Sequence, residues 1–543
     1  MPKLDSMKLT EKALFYGLFV IPLLAWPWSN DPFLMPKLAL LVPLGLFMLA
    51  TAIWQIWNLK GRLFKTTLGL TFVFLALMTS SLLLTAGNLT EKFYGYFTRN
   101  NGFLTYLSLL GLFLTGYLNA NRINLITLSK YAKYMTILVL FIGFLQKFKI
   151  NLANLNPNNS VIGFFGNVNF QSAFLGMMST FFIHEVYKKS NKYPVKVFNF
   201  IICALIIIQI LNTNSIQGIF LFAINIIVMT FYFLRSNNKN NYLRVFSLTI
   251  LVSTIFSAFG IFNKGPLAKY LFDLSTIDRG YCSEAGLRIA QQNPLIGVGF
   301  DQYRYYYQQF RSENAIEFQN KNFNHICDTA HNVYIDIAAN NGFLVALIYI
   351  LVVLATLKKV FQISRYAEKF DVLVFAIMGL WIGYQVQSLI SINHIGIAIW
   401  GWAVTGILLG YDGKTNNSSN IIETPIYKIP KMKYFIFTFG ISAFIIMPLV
   451  LKYTNFYFAQ YENTNKKLVE VSLQKPLMMP FLFAASKNAS EMGDNDTALK
   501  LGLVASREFP NSTDAWQLLI NNPLASQSEI LNAKNNLKRL GSG

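Results

Sequence analysis

The chain has 543 residues, of which 54% are hydrophobic and only 13% are charged. Soluble domains carry about 25% charged residues, so this composition excludes a soluble protein with a large core and predicts an integral membrane protein. The net charge of +21 does not indicate nucleic-acid binding, because the lysines and arginines stand in short clusters between apolar runs and form no basic face.

Long apolar runs predict an all-α, polytopic transmembrane bundle of about 13 spans, the first starting near Ala13 and the last near Tyr434. Basic residues collect in alternate connectors, each after an even number of predicted spans. The positive-inside rule therefore predicts a cytoplasmic N-terminus. The other connectors, including the long polar segment 263–331, are then expected on the outer side.

The apolar runs end before the last part of the chain, which predicts two domains. Residues 1–453 are expected to form the transmembrane domain, with the large outer loop 263–331, and residues 454–543 a small helical domain on the outer side. Small residues at Ala498 and Ala505, followed by Pro510, resemble the spacing of a tetratricopeptide repeat. A single unit leaves two alternatives open, a helical hairpin packed against the outer loop or a surface that binds a protein partner.

Two short polar motifs stand at the expected outer mouths of spans. Arg99 begins the sequence Arg-Asn-Asn-Gly, and Asn167 and Asn169 belong to Gly-Phe-Phe-Gly-Asn-Val-Asn. A guanidinium group can bind phosphate oxygens through two hydrogen bonds, although a single arginine can also reach out to lipid headgroups. The asparagines can cap a helix or offer their amides to a sugar or phosphate.

The large loop carries the sharpest candidates for chemistry. Arg279 and Arg288 precede the sequence Asn-Pro-Leu-Ile-Gly-Val-Gly, and His331 stands between an alanine and an asparagine at the head of the next span. An imidazole can accept a hydroxyl proton near neutral pH, although a satisfied interfacial histidine is the alternative. Asp328, three residues before His331, would orient the imidazole if that segment is helical. His394, at another outer turn, is a second and weaker candidate.

The cysteines and the absent motifs narrow the kind of site. Cys282 and Cys327 both lie in the loop and can pair if it faces an oxidising compartment, whereas Cys203 lies inside an apolar run. The sequence has no phosphate-binding Walker lysine loop, no His-Glu-x-x-His and no Gly-x-Ser-x-Gly. We therefore expect no metal site, no nucleotide site and no cofactor.

Taken together, the motifs resemble those of the O-antigen ligase and polymerase superfamily of bacterial polytopic glycosyltransferases. Arg99-Asn-Asn-Gly is similar to its Arg-x-x-Gly segment, and the 163–169 segment is similar to its Gly-x-x-Gly-Asn-x-Asn segment. Arg279 followed by Pro-x-x-Gly-x-Gly is similar to its loop signature, and His331-Asn is similar to its His-Asn segment. These motifs extend over roughly residues 85–410 in the order of the family.

The resemblance implies a GT-C-like, metal-independent membrane glycosyltransferase that uses an undecaprenyl-diphosphate-linked glycan as donor. By this resemblance Arg279 and His331 would be catalytic, with His331 activating the acceptor hydroxyl. Arg99 and Arg288 would help to hold the donor diphosphate. Ser283 departs from the family, in which an aromatic residue is frequent at this position.

The expected reaction is ligase-type transfer of an oligosaccharide to a lipid or glycan acceptor on the outer face of the bacterial inner membrane. A surface-polysaccharide polymerase shares the same machinery and is the alternative. Transfer to protein is less favoured, because Asn169-Phe170 replaces the Gln-Pro-Asn-His form of protein-glycosylating relatives. A lipid-linked glycan transporter is also less favoured, because the spans lack pairable charges. Asn167 and Asn169 complete the expected substrate-binding residues.

Overall fold

The computed structural model describes residues 9–58, 62–150, 160–261, 263–323, 326–366, 371–411, 432–462 and 465–541. Within these ranges all regular secondary structure is helical, which confirms the all-α prediction. Eight of the described helices are long and apolar enough to cross a membrane. The chain is therefore a polytopic membrane protein.

The bundle contains helices of span length and further helices beside them. The span-length helices are α2 Leu34–Asn58, α6 Leu125–Lys147, α9 Tyr193–Asn212, α10 Ile216–Ser236, α11 Asn240–Ile261, α17 Phe343–Arg365, α18 Val372–Ile390 and α20 Met432–Tyr461. The other helices of the bundle are α1 Leu9–Val20, α3 Arg62–Leu84, α4 Leu89–Tyr94, α5 Phe103–Asn119, α7 Val168–Met178, α8 Thr180–Tyr187 and α19 Ile395–Gly410.

The predicted number of about 13 spans remains a prediction. Three shorter apolar helices, residues 69–84 of α3, α5 and α19, stand beside the eight long ones. The other two predicted spans correspond to α1, with 12 residues, and to α7 and α8, which divide one apolar run at Ser179.

Glycines bring the central helices α2, α5 and α19 into backbone contact. A Cβ atom on Gly111 of α5 would lie 2.1 Å from the Gly45 carbonyl oxygen of α2. On the other side of α5, a Cβ atom on Gly406 of α19 would lie 2.0 Å from the Phe113 carbonyl oxygen. Small residues replace apolar side chains at these crossings because in a membrane close van der Waals packing, and not exclusion of water, drives helix association.

The predicted large loop is a compact helical unit at one end of the bundle, which we call the loop face. It contains α12 Ala268–Leu271, α13 Leu274–Gln292, α14 Tyr303–Phe310 and α15 Glu313–Asn322, and α16 Val333–Asn341 leads into α17. Its small core is formed by Cys282, Ile289, Tyr303 and Tyr307 with their neighbours. The unit therefore holds its side chains in fixed positions despite its polar composition.

The C-terminal helices pack against this loop unit. They are α21 Asn465–Leu473, α22 Met479–Glu491, α23 Asn495–Glu508, α24 Thr513–Ile520 and α25 Gln527–Arg539. Arg304 of α14 lies 3.5 Å from Asp514, and the Asn511 amide donates a hydrogen bond of 3.2 Å to the Tyr306 hydroxyl. Helix α20 continues through the predicted boundary at residue 453 to Tyr461. The two-domain division and the tetratricopeptide likeness stay predictions.

Candidate functional site

Helix α13 presents one narrow face to the segment that carries His331. Arg279, Ser283 and Gly286 share this face because their spacings of four and three residues return to the same side of a helix. The Ser283 hydroxyl donates a hydrogen bond of 2.7 Å to the Ala330 carbonyl. A Cβ atom on Gly286 would lie 2.9 Å from the Ala330 side chain, so the glycine permits this close approach.

The backbone at His331 is held in an uncommon conformation. Its φ angle is +51°, in the left-handed region. On one side the Ala330 N–H donates a hydrogen bond of 2.7 Å to the buried carboxyl of Asp336. On the other side Asn332 caps α16, because its side-chain oxygen accepts the N–H groups of Tyr334 and Ile335. The segment is therefore fixed on both sides of the histidine, which is typical of conformations maintained at functional sites.

The end of α18 joins the Arg279 and His331 segments. The Arg279 guanidinium donates to the Ile390 carbonyl at 3.3 Å, and the Asn332 amide donates to the adjacent Leu389 carbonyl at 3.0 Å. Carbonyls at the end of a helix lack partners within the helix and attract donors and positive charge. Arg279 and Asn332, the residue that follows His331, are thus anchored to one point of the bundle, although they are far apart in sequence.

Arg279 combines partial burial with an unsatisfied charge. Burial lowers the pKa of Arg279, while Asp273 and Asp278 act in the opposite direction from a longer distance. Among the residues that the structure describes, no carboxylate forms a salt bridge with Arg279. A half-buried guanidinium without an ion pair is suited to receive an anionic ligand.

A disulfide between Cys282 and Cys327 links α13 to the segment that precedes His331. Cys282 follows Arg279 by three residues, and Cys327 precedes His331 by four. Gln319 supports the connection, because its amide donates to Asp278 at 2.9 Å and to the Cys327 sulfur at 3.3 Å. Asp278 and the two cysteines form a cluster with the spacing of a metal site, but the sulfurs are bonded to each other and supply no thiolate ligand.

Arg99 reaches the same region through Asp328. Its guanidinium lies 2.6 Å from the Asp328 carboxylate. The segment between Cys327 and Asn332 is not helical, so Asp328 does not take the position beside His331 that a helix would give. Asp328 instead connects the segment before His331 to the connector between α4 and α5. The structure therefore brings Arg99 to the His331 segment as an ion-pair partner.

The turn between α18 and α19 joins the remaining outer motifs. The Asn101 amide donates to the Asn393 carbonyl at 2.9 Å, and the Asn393 amide donates to the Asn101 side-chain oxygen at 3.2 Å. His394 is buried, with Nε2 3.2 Å from the Phe165 carbonyl and its ring against Phe170. His394 therefore joins the Gly163 segment to the bundle and is enclosed by aromatic rings.

The 163–169 segment lies beside this turn. Asn167 is exposed and caps α7, because its side-chain oxygen accepts the Asn169 N–H at 2.8 Å. The Lys37 ammonium donates hydrogen bonds of 2.6 to 2.9 Å to the carbonyls of Phe164, Leu24 and Phe33, and so ties this segment to the connector before α2. These three bonds use all the donors of the ammonium group, so we assign Lys37 a structural role.

Arg288 occupies a different surface from Arg279. Arg288 follows Arg279 by nine positions on α13, which corresponds to two and a half turns and about 13 Å along the axis, so the two side chains leave opposite faces of the helix. Arg288 is exposed and pairs with Glu284 at 2.6 Å. The structure does not bring the two arginines together around one ligand, and the predicted role of Arg288 stays a prediction.

The Pro-x-x-Gly-x-Gly motif docks the loop unit on the junction between α16 and α17. The Val298 and Gly299 N–H groups donate to the carbonyls of Ala339 and Asn340 at 3.0 and 2.8 Å. Gly297 has a φ of +67°, and a Cβ atom there would lie 2.4 Å from the Asn340 carbonyl oxygen. The glycines therefore allow direct backbone contact, which holds the unit in register with α16.

Two buried carboxyl groups, absent from the predicted site, lie beneath it. Asp301 accepts the N–H groups of Tyr96 and Asn101 at 2.7 and 3.0 Å, and Asp336 accepts the Ala330 N–H. Burial raises the pKa of Asp301 to about 6 and that of Asp336 to about 8. Both border a small polar cavity. Asp301 thus fixes the Arg99 connector, and Asp336 fixes the His331 segment.

Comparison with known proteins identifies part of the chain. A family model described as O-antigen ligase matches residues 171–350. The matched range contains Arg279, Arg288 and His331, and it begins after Asn169. No curated protein matches the chain significantly. The members of the matched family are membrane glycosyltransferase-like enzymes, ligases and polymerases. Residues 171–350 of this all-helical membrane protein therefore form a domain similar to the O-antigen ligase family.

Proposed function

We propose that the loop face transfers an oligosaccharide from an undecaprenyl-diphosphate-linked donor to a hydroxyl group of a lipid acceptor, as a ligase. The observation that carries this proposal is the common anchoring of Arg279 and Asn332 to the adjacent carbonyls of Ile390 and Leu389. It brings a half-buried guanidinium without an ion pair, among the described residues, to the segment of His331. These are the two groups that transfer from a diphosphate donor requires.

In the proposed reaction the acceptor oxygen forms a bond with the anomeric carbon of the donor sugar. The bond between that carbon and the diphosphate oxygen breaks, and its electron pair leaves with the diphosphate. Arg279 stabilises the negative charge that develops there. The acceptor proton passes to the His331 imidazole, which later releases it to water. The proposal assigns no step to a metal ion.

The other predicted residues have supporting parts in this proposal. Arg99 forms an ion pair with Asp328 at 2.6 Å, so its main role in this proposal is to hold the segment before His331. A direct contact of Arg99 with the diphosphate is a second, additional role. Asn167 uses its side-chain oxygen to cap α7, which leaves its NH₂ group as the part that would contact a sugar. Asn169 stands in the first turn of the same helix. Arg288 would contact a more distant part of the donor or acceptor.

We infer that the loop face lies on the outer side of the bacterial inner membrane and that the N-terminus is cytoplasmic. The alternating basic connectors support this orientation. The Cys282–Cys327 disulfide supports it independently, because disulfides persist in oxidising compartments and are rare in the cytosol. An outer site also agrees with a donor that carries its own activated diphosphate and needs no cytosolic nucleotide.

The test is a transfer assay with the purified protein in proteoliposomes that contain an undecaprenyl-diphosphate oligosaccharide and a lipid acceptor. We expect a glycan joined to the acceptor, with release of undecaprenyl diphosphate, and the same rate in the presence of EDTA. His331→Ala should reduce the rate by about 10² to 10⁴, the usual contribution of a positioned base. Arg507→Ala is the matched control, because Arg507 is exposed on α23.

The products separate the proposal from its alternatives. Lengthening of the donor glycan without transfer to the acceptor would identify a polymerase. Appearance of intact donor on the other side of the membrane, without release of undecaprenyl diphosphate, would identify a transporter. Full activity of the His331→Ala protein would contradict the assignment of the site, whatever the product.

A further inference from the structure

The end of the bundle opposite the loop face contains an open cleft of about 680 Å³ between three helices. Its size falls within the range of sites that bind small molecules. Helices α10 and α17 both end there, and the length of α17 places the far end of the cleft about 33 Å from the loop face. The cleft is lined by Phe231 and Arg235 of α10, Leu243 of α11, and Leu354, Leu357, Lys358, Phe361, Gln362, Ser364 and Arg365 of α17.

The α17 side of the cleft is a continuous stripe. Leu354, Leu357, Phe361 and Arg365 recur at intervals of three and four residues, so they follow one face of the helix for about three turns. Along the helix two leucines come first, Lys358 and Phe361 follow, and Gln362, Ser364 and Arg365 come at the end. The lining therefore begins with two leucines and ends with an arginine roughly 16 Å away along the helix axis.

Three cations line the cleft, two of them at its polar end. Arg235 donates a hydrogen bond of 3.0 Å to the Arg365 carbonyl, which joins the ends of α10 and α17. Lys358 lies further into the same stripe and is exposed. Among the described residues that line the cleft, none is acidic. Among the described residues none of the three cations forms a salt bridge, so their combined charge is available to an external anion.

The position of the cleft indicates what fills it. Helix α11, one of its walls, is a span of which only 6% is buried, so the cleft opens toward the lipid that surrounds the bundle. Lipid chains occupy such an opening in a bilayer. Basic pockets between transmembrane helices at the cytoplasmic surface select anionic headgroups. The apolar stripe and the cations thus match the two parts of a phospholipid.

We propose that this cleft binds one anionic phospholipid. The phosphate of its headgroup contacts Arg235, Lys358 and Arg365, and an acyl chain lies along Leu354 and Leu357. The bound lipid contacts α10, α11 and α17. The site is separate from the loop face and does not depend on the proposed glycan transfer.

The experiment uses the complete protein in nanodiscs of phosphatidylcholine and phosphatidylglycerol in equal amounts. Native mass spectrometry then identifies the lipids that remain bound after release from the disc. We expect the wild-type protein to retain one phosphatidylglycerol molecule in preference to phosphatidylcholine. The triple variant Arg235→Gln, Lys358→Gln, Arg365→Gln should lose at least fivefold of that preference, because each cation near an anionic lipid contributes a factor of about five.

Two further variants define the site. Lys130→Gln, Lys192→Gln, Lys433→Gln removes the same charge from exposed positions outside the cleft and should keep the wild-type preference. Leu357→Trp fills the apolar part, leaves the cations unchanged, and should reduce retention of both lipids. Wild-type unfolding temperatures would show that each variant is folded.

Other outcomes would overturn the proposal. Equal loss in both triple variants would mean that retention follows net charge and not the cleft. Unchanged retention in the first triple variant would mean that the cations do not contact the headgroup. Displacement of the bound lipid signal by inorganic phosphate, with no effect of Leu357→Trp, would identify a site for a free anion.

Discussion

Replacement of Arg279 tests the site most directly. A guanidinium has five N–H donors, and the structure engages one of them, with the Ile390 carbonyl at 3.3 Å. The remaining donors can give the departing diphosphate two charge-assisted hydrogen bonds, each of about 1.5–3 kcal/mol. Loss of one such donor in other enzymes reduces kcat by about 10² to 10³. We expect Arg279→Ala to reduce kcat about a thousandfold.

Arg279→Lys separates charge from geometry. Lysine retains the positive charge but cannot form two parallel hydrogen bonds, so we expect a loss of about 10- to 100-fold. The assay is the initial rate of transfer in proteoliposomes at saturating donor, with the unfolding temperature measured in parallel. The single neutral hydrogen bond to Ile390 contributes about 1 kcal/mol to stability, so both variants should remain folded. A kcat and KM of Arg279→Ala within tenfold of the wild type would refute the reasoning.

Arg288→Ala is the comparison on the same helix. Arg288 leaves the opposite face of α13 and is paired with Glu284 on an exposed surface. We expect its replacement to change kcat by less than about threefold, since exposed helical ion pairs contribute about 0.3–0.5 kcal/mol. An equal effect of the two substitutions would mean that the donor wraps around α13, and that the separation of the two faces has no functional meaning.

Three further predictions concern the support of the site. The pKa of Asp336 rises from 3.8 to about 8 on burial, so the stabilising contribution of its protonated form is complete below pH 3.8 and is lost as the pH rises through about 8. The unfolding temperature of the protein should therefore fall from pH 5 to pH 8, and Asp336→Asn should reduce this dependence on pH. Replacing Cys282 and Cys327 by serine removes a cross-link between residues 45 positions apart, which contributes roughly 4 kcal/mol to stability in the chain-entropy model. We expect faster proteolysis of the loop unit and a lower transfer rate, and unchanged values of both would contradict a supporting role for the disulfide. Gly286→Val should reduce the transfer rate at least tenfold while membrane insertion is normal, because the valine side chain would displace the Ala330 segment. A wild-type transfer rate in this variant would show that the close contact is dispensable.

Much of the fold could be predicted from the sequence because the spans and the family motifs are local patterns. Apolar length predicts a helical membrane protein, which is confirmed, and the spaced motifs predict a resemblance to the O-antigen ligase family, which the match over residues 171–350 supports. The predicted neighbourhood of Arg279 and His331 agrees with their common anchor at the end of α18, although the catalytic roles stay predictions.

Other parts of the site could not be read from local patterns. The segment of Arg279 and Arg288 is a helix with few apolar positions, so its periodicity was weak and the nine-residue spacing could not be assigned to opposite faces. Asp301 and Asp336 look like ordinary polar residues, since their burial depends on contacts across the fold, such as the bond from Tyr96 to Asp301 over 205 residues. The segment 327–332 is not helical, so the helical condition under which Asp328 was expected to orient His331 is not met.

The packing of the C-terminal helices has a consequence for how the enzyme could be controlled. Phe481 of α22 contacts both Phe97 and Tyr453, and Phe97 stands two residues before Arg99. A force applied to α22 is therefore transmitted through one aromatic contact to the connector that holds Asp328. A protein that docks on these helices would alter the reaction without entering the membrane, and a chain shortened after Tyr461 would lose this support and expose the ring of Phe97.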